Sequence, residues 1–185
     1  MHNHGKTPAD RVEFARQAAY VTRYHVHRYV GDYTSHEHVC NMQNMYLILC
    51  PNPTLTGVKL IQWHDAGEYG PGDMPSPAKS CFGVGEIMNK IERCVRENYG
   101  LQVEDPVPQE ILWLKSLDIT EFFLFCHDQI LLGNQFIMPM AVKVRDYIQA
   151  KIKAGNFPPE LADYFTEINI SRPVIDMDEV LEMRE

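Results

Sequence analysis

The run Trp63-His64-Asp65-Ala66-Gly67-Glu68-Tyr69-Gly70-Pro71-Gly72-Asp73-Met74-Pro75-Ser76-Pro77-Ala78-Lys79 decides how this chain is read. Val58, Leu60 and Ile61 lead into it without a breaker, so its first part reads as the end of a helix. Gly70, Pro71, Gly72, Pro75 and Pro77 cannot continue a helix, so its second part reads as a turn. On the helical part Ile61, His64, Asp65 and Glu68 fall at i, i+3, i+4 and i+7, which is one stripe. The stripe starts apolar and becomes His, Asp, Glu. It either faces water or carries an imidazole and two carboxylates inward. Unpaired carboxylates inside cost several kcal/mol or take up protons. A divalent cation removes that difficulty, because His nitrogen and Asp oxygen are ordinary transition-metal ligands.

The rest of the chain is ordinary in bulk. Its 185 residues are 45% hydrophobic and 23% charged, which fits one domain with a sizeable core. A formal net charge of -8 argues against nucleic acid and acidic membranes as partners. An anionic small molecule then needs a local positive site or a metal. The five cysteines, Cys40, Cys50, Cys81, Cys94 and Cys126, are widely spaced and form no C-x-x-C pair. Free, mostly buried thiols in a reducing cytoplasm are expected. No apolar run reaches transmembrane length, and Met1 to Asp10 lacks the apolar core of a signal peptide. His2 and His4 read as part of a flexible N-terminus over residues 1–8.

Outward from the central run, the helices follow one another. Thr7-Pro8-Ala9-Asp10 starts a helix that is expected to reach about Arg23. Arg23 to Tyr29 is basic and aromatic and reads as strand-like or loop, either a solvated connector or a nucleotide clamp. Thr34-Ser35-His36-Glu37 starts a second helix that runs to about Leu49 and stops before Pro51 and Pro53. His38, Met42, Met45 and Leu49 share one of its faces. The helix with His64 and Asp65 starts near Thr54. Val84 to Tyr99 reads as an amphipathic helix with Ile87, Ile91, Cys94 and Val95 inward and Gly100 as its stop. From about Gln109 to Leu132 a long helix places Asp118 in the middle of the stripe Ile111, Leu114, Phe122, Phe125. A carboxylate there wants a cation or several hydrogen bonds. Asn134 to Ala154 is a further helix with Pro139 near its first turn, and a short helical segment follows near Leu161 to Phe165. The expectation is all-α: one domain over residues 9–170, five or six main helices, and a fraying acidic tail at 171–185.

His38, the adjacent pair His64-Asp65, and the late Asp118 resemble the ligand order of the HD-domain metal-dependent phosphohydrolases. The similarity is greatest to their small deoxynucleotide-hydrolysing branch, which includes bacterial 5'-deoxynucleotidases and phage dATP triphosphohydrolases. Its hallmark looks like H-D-x-x-E-x-x-x-G-D-x-P-[ST]-P-x-K, filled here by His64, Asp65, Glu68, Gly72, Asp73, Pro75, Ser76, Pro77 and Lys79. Glu37-His38 resembles the branch's E-H at the first ligand. Arg23-Tyr24 resembles an upstream Arg-Trp pair with Tyr in place of Trp, and the following His25 is more like the phage enzymes. The resemblance spans about Arg23 to Asp118.

The resemblance implies one divalent transition metal (Co, Mn or Zn) on His38, His64, Asp65 and Asp118, with a second ion, Mg, allowed on the phosphates. It implies Glu68 as the residue that orients or deprotonates water or protonates the leaving oxygen. Arg23 and Lys79 would grip phosphate, Tyr24 would stack on base or sugar, and Asp73 would take the deoxyribose 3'-hydroxyl. His36 is a weaker candidate for a phosphate contact. As plain protein, Asp73 is a turn residue and Arg23, Lys79 and His36 are surface groups. The implied substrate is a 2'-deoxynucleotide. A triphosphate, dATP, split into deoxynucleoside and triphosphate is favoured by the short gap from His38 to His64 and by the Arg-Tyr-His wording. A 5'-deoxynucleotidase acting on monophosphates is the alternative within the class, and a nucleotide-binding regulator without turnover the alternative outside it. A two-iron oxygenase needs more imidazoles than the late helices offer, where only His127 stands. Cytoplasmic location, in a host cell if the chain is phage-encoded, no membrane partner, and a homo-oligomer built on exposed apolar surface complete the expectation.

Overall fold

Thr7 caps the first helix: its hydroxyl accepts from the Asp10 N–H at 3.1 Å while the Asp10 carboxylate takes the Thr7 N–H at 2.8 Å. The computed structural model describes residues 5–75, 79 and 83–170. Ser76 and Pro77 of the central run, the N-terminal histidines and the acidic tail lie outside the described residues. The helix start expected at Thr7-Pro8-Ala9-Asp10 is found there, with Thr7 as the cap and Pro8 as the first helical residue.

Among the described residues seven α-helices are delimited: α1 (Pro8–Ala18), α2 (Ser35–Leu49), α3 (Leu55–Trp63), α4 (Gly85–Asn98), α5 (Pro108–Leu131), α6 (Met138–Lys153) and α7 (Pro159–Ile170). Short 3-10 turns stand at Ala66–Tyr69 and Gln135–Ile137. The fold is all-α, with more helices than the five or six expected. Among the described residues the extended pairing is confined to a single bridge, Thr22 to Thr34. No helix there is long and apolar enough to cross a membrane.

α1 stops at Ala18 rather than near Arg23. The residues after it are claimed by the chain that precedes α2. Arg23 N–H donates to Tyr33 O at 3.0 Å, Ser35 N–H to Val21 O at 2.9 Å, and His36 N–H to Ala19 O at 3.0 Å. These non-local bonds close residues 22–34 into a loop and outweigh local helix preference. α2 carries a second capping box, Thr34 with Glu37. α3 ends at Trp63, so His64 is its C-terminal cap and Asp65 stands outside it.

The main core joins α2, α3, α5, α6 and α7 through Met42, Tyr46, Ile61, Trp113, Leu117, Phe123, Ile148, Leu161 and Phe165. α7 is longer than the expected short segment because Leu161, Phe165 and Ile168 give it one continuous buried face. A second cluster gathers Tyr33, Phe125, Cys126, Ile137 and Ala141, and a third gathers Phe14, Ala18, Ala66 and Leu101. α4 is rotated from expectation. Met88 and Glu92 are its buried residues, while Ile87, Ile91 and Cys94 are exposed. Glu92 is turned inward because its carboxylate meets Lys79 at 3.0 Å and its backbone lies against Gly67. The thiols also differ from expectation: Cys40 and Cys94 are exposed, Cys50 is intermediate, and of the described ones only Cys126 is buried.

Candidate metal centre

Two helix ends and the middle of α5 converge on one point. His38 lies in the first turns of α2 and is fully buried. Its Nδ1 is hydrogen-bonded with Glu121 Oε2 at 2.7 Å. That bond leaves Nε2 aimed the other way, 3.2 Å from Asp118 Oδ1 and 3.8 Å from Asp65 Oδ2. His64 caps α3, and its Nδ1 donates to Ile61 O at 2.7 Å. Its Nε2 lies 2.9 Å from Asp65 Oδ2. Arg96 on α4 donates to His64 O at 2.8 Å and holds this corner from outside. Donor atoms of His38, His64 and Asp65 all fall within 4.8 Å of one another. Asp118, the fourth expected ligand, falls outside that group: its Oδ1 is 3.2 Å from His38 Nε2, and its side chain, on α5, is about half exposed.

Cations and further acids surround this point. Arg23, 6% exposed, binds Asp65 Oδ2 through Nη1, approaches Glu68 Oε2 at 3.5 Å, and through Nη2 lies 3.9 Å from Asp118. Glu68 sits in the 3-10 turn, 4% exposed. Burial and the charge of Asp65 push the Glu68 carboxyl well up, against the pull of Arg23. Asp65 goes the other way: burial alone would raise it, but His64 and Arg23 hold it far below the usual carboxylate range. Lys79 is 3.8 Å from Glu68 and 3.0 Å from Glu92. Gly67 makes the close approach of this turn to α4 possible, since a Cβ there would lie 2.5 Å from Glu92 O.

These residues fit a divalent transition ion. Among the described residues neither buried Nε2 atom has a hydrogen-bond partner, although each is a strong polar group. Each ring is oriented by a bond on its other nitrogen, as ligating imidazoles are. With Glu68 pushed toward its protonated form, Arg23 and Lys79 stand against the carboxylates Asp65, Asp118 and Glu92, so a further positive charge is accommodated. Two imidazoles with carboxylate oxygens suit Co, Mn or Zn rather than a soft or all-oxygen ion.

The structure therefore brings together His38, His64, Asp65, Asp118, Glu68, Arg23 and Lys79. Arg23 is no surface group. Asp73 lies alongside: its Oδ2 accepts the Tyr24 N–H at 2.9 Å, which supports Tyr24 at a φ of 55°, a strained value for a tyrosine. The Tyr24 ring packs on Phe122 and Phe125 at 4.5 and 4.7 Å between centroids, and its hydroxyl is buried without a partner. It is thus part of an aromatic cluster rather than a free stacking platform. His36 is exposed on α2, tied back to Ala19 by its N–H, and is not brought to the cluster by any bond among the described residues. Sequence reasoning missed Glu121, Tyr33 and Asn41, which join behind His38: Tyr33 Oη donates to Glu121 Oε1, and Asn41 Nδ2 does so at 3.2 Å. The available signal was an acid inside the apolar run Thr120 to Phe125, one turn after Asp118. It also missed Arg96 and Glu92. Compared with known protein families and with curated proteins, the sequence matches no family model and no curated protein.

Proposed function

We propose that the chain is a metal-dependent phosphohydrolase of the HD type that acts on 2'-deoxynucleotides. The preferred substrate is a deoxynucleoside triphosphate, dATP first, cleaved to deoxynucleoside and triphosphate. The observation that carries this reading is the pair of buried, unpartnered Nε2 atoms of His38 and His64 beside Asp65. Asp118, on another helix, has its Oδ1 3.2 Å from His38 Nε2 and is the fourth ligand of this reading.

A divalent ion held by these four residues would supply Lewis-acid activation of water and offset charge on phosphoryl oxygens. The chain's own residues do the rest. Arg23 presents a guanidinium beside the cluster, a fork suited to a phosphate. Lys79 adds a point charge next to Glu68. Glu68, buried and pushed toward its protonated form, holds a proton within the site that the leaving 5'-oxygen needs. Asp73, which accepts the Tyr24 N–H, would take a sugar hydroxyl.

The test is a product assay. Metal-loaded protein is incubated with dATP and, separately, with dAMP, and nucleoside, phosphate and triphosphate are resolved. Deoxyadenosine with triphosphate supports the reading. Hydrolysis of dAMP alone moves it to a 5'-deoxynucleotidase. The variant Glu68→Gln is expected to lose turnover by about 100-fold or more while keeping nucleotide affinity. A wild-type protein that binds dATP without any turnover is a regulator, not an enzyme.

A further inference from the structure

Glu121 is 2% exposed on α5, among Phe123, Phe125 and Cys126. An unpartnered carboxylate in such surroundings costs several kcal/mol. Three donors satisfy it: His38 Nδ1 on Oε2, and Tyr33 Oη and Asn41 Nδ2 on Oε1. These come from the 22–34 loop and from α2, so the carboxylate is gripped from separate elements. Both of its oxygens are engaged behind His38, on the side away from Asp65. Glu121 therefore cannot itself reach an ion in the cluster.

We propose that Glu121 is a positioning residue for the metal centre. It fixes the His38 ring in the tautomer with hydrogen on Nδ1 and a free electron pair on Nε2, and thereby sets the cluster's affinity for a divalent ion. The inference rests on the metal-centre reading above. The contrasting role is purely structural, a buried polar knot that ties α2 to α5. The two differ in what they predict for His38. A knot tolerates either tautomer, because an Nδ1 lone pair can face a protonated carboxyl as well. A positioning carboxylate permits one tautomer only.

The experiment uses the full chain loaded with zinc. Histidine-selective 15N NMR of the wild-type protein is expected to show His38 protonated at Nδ1 and zinc-bound at Nε2. A His38 bound through Nδ1, or bearing its proton on Nε2, overturns the proposal. The variant Glu121→Gln keeps the shape and removes the charge. It is expected to weaken zinc binding about 10- to 100-fold in a chelator competition, with the Nδ1–H resonance moved upfield. Unchanged zinc affinity in a folded Glu121→Gln protein overturns the proposal. Should that variant fail to fold, Glu121→Asp, which keeps the charge and shortens the reach, takes its place, and unchanged zinc affinity in that variant overturns the proposal. Failure of the wild-type chain to bind zinc or any divalent transition ion refutes the underlying metal-centre reading instead, and is seen before any variant is made.

Discussion

The imidazoles of His38 and His64 face each other with ring centroids 5.5 Å apart, each with Nδ1 bonded to a neighbour and Nε2 left without a partner. One ring comes from the start of α2 and the other from the end of α3. Their meeting depends on packing between helices joined by the Pro51 to Thr54 turn, and on Tyr46 lying directly against Gly57. The consequences can be measured.

The first concerns pH. Burial alone would push the His38 imidazole down, but the neighbouring carboxylates of Asp118 and Glu121 outweigh burial and raise it from 6.5 to about 9. A pKa raised on folding contributes stability that is fully present below the unfolded value and is lost as pH rises through the folded one. After chelation, stability should therefore fall between pH 6.5 and about 9, and His38→Gln should remove that slope. Metal affinity should move oppositely, rising up to about tenfold per pH unit in the same window, because the ion displaces a proton. Chemical denaturation and chelator titrations at several pH values check both slopes.

A second prediction concerns Gly67. A Cβ there would meet the Glu92 backbone at 2.5–2.6 Å, so the 3-10 turn or α4 would have to shift. Gly67→Ala should cost about 1–3 kcal/mol and weaken metal binding, since the same turn carries Glu68 and follows Asp65. Gly70→Ala is the control: its Cβ would lie 3.4 Å from Val95, an ordinary contact, and its effect on thermal unfolding should be small.

Thiol reactivity offers a third check. Cys126 is fully buried, and burial with the nearby Glu121 charge pushes its thiol up to about 12. Thiolate is the reacting form, so at pH 8 Cys126 should resist iodoacetamide in the folded protein. Exposed Cys40 and Cys94 should react readily. Peptide mapping by mass spectrometry separates them. Labelling of Cys126 as fast as Cys40 would show that the Glu121 side of the site opens to solvent.

How much of this was legible in the sequence depends on range. α2 and the long α5 were readable because the signals are local: Thr34-Ser35-His36-Glu37 at the start of α2, and apolar residues at helical spacing along both. Asp118 was readable as an acid interrupting an apolar stripe. The end of α1 was not, because residues 19–23 are held by bonds to residues 33–36, information that no local window contains. The inward face of α4 was misjudged for the same reason. Ile87 and Ile91 looked like core, but the approach of Gly67 and Lys79 to Glu92 set the rotation of the helix. Glu121 was hidden by its aromatic neighbours, since only the fold brings Tyr33 and Asn41 to it.

The most direct test of the central claim is a metal count. Protein stripped by chelation, then equilibrated with Co, Mn or Zn and dialysed, should retain about one ion per chain. His64→Ala and His38→Ala should each lose it while remaining folded by circular dichroism. A wild-type chain that retains no divalent transition ion, or variants that hold it as tightly as wild type, would contradict the account.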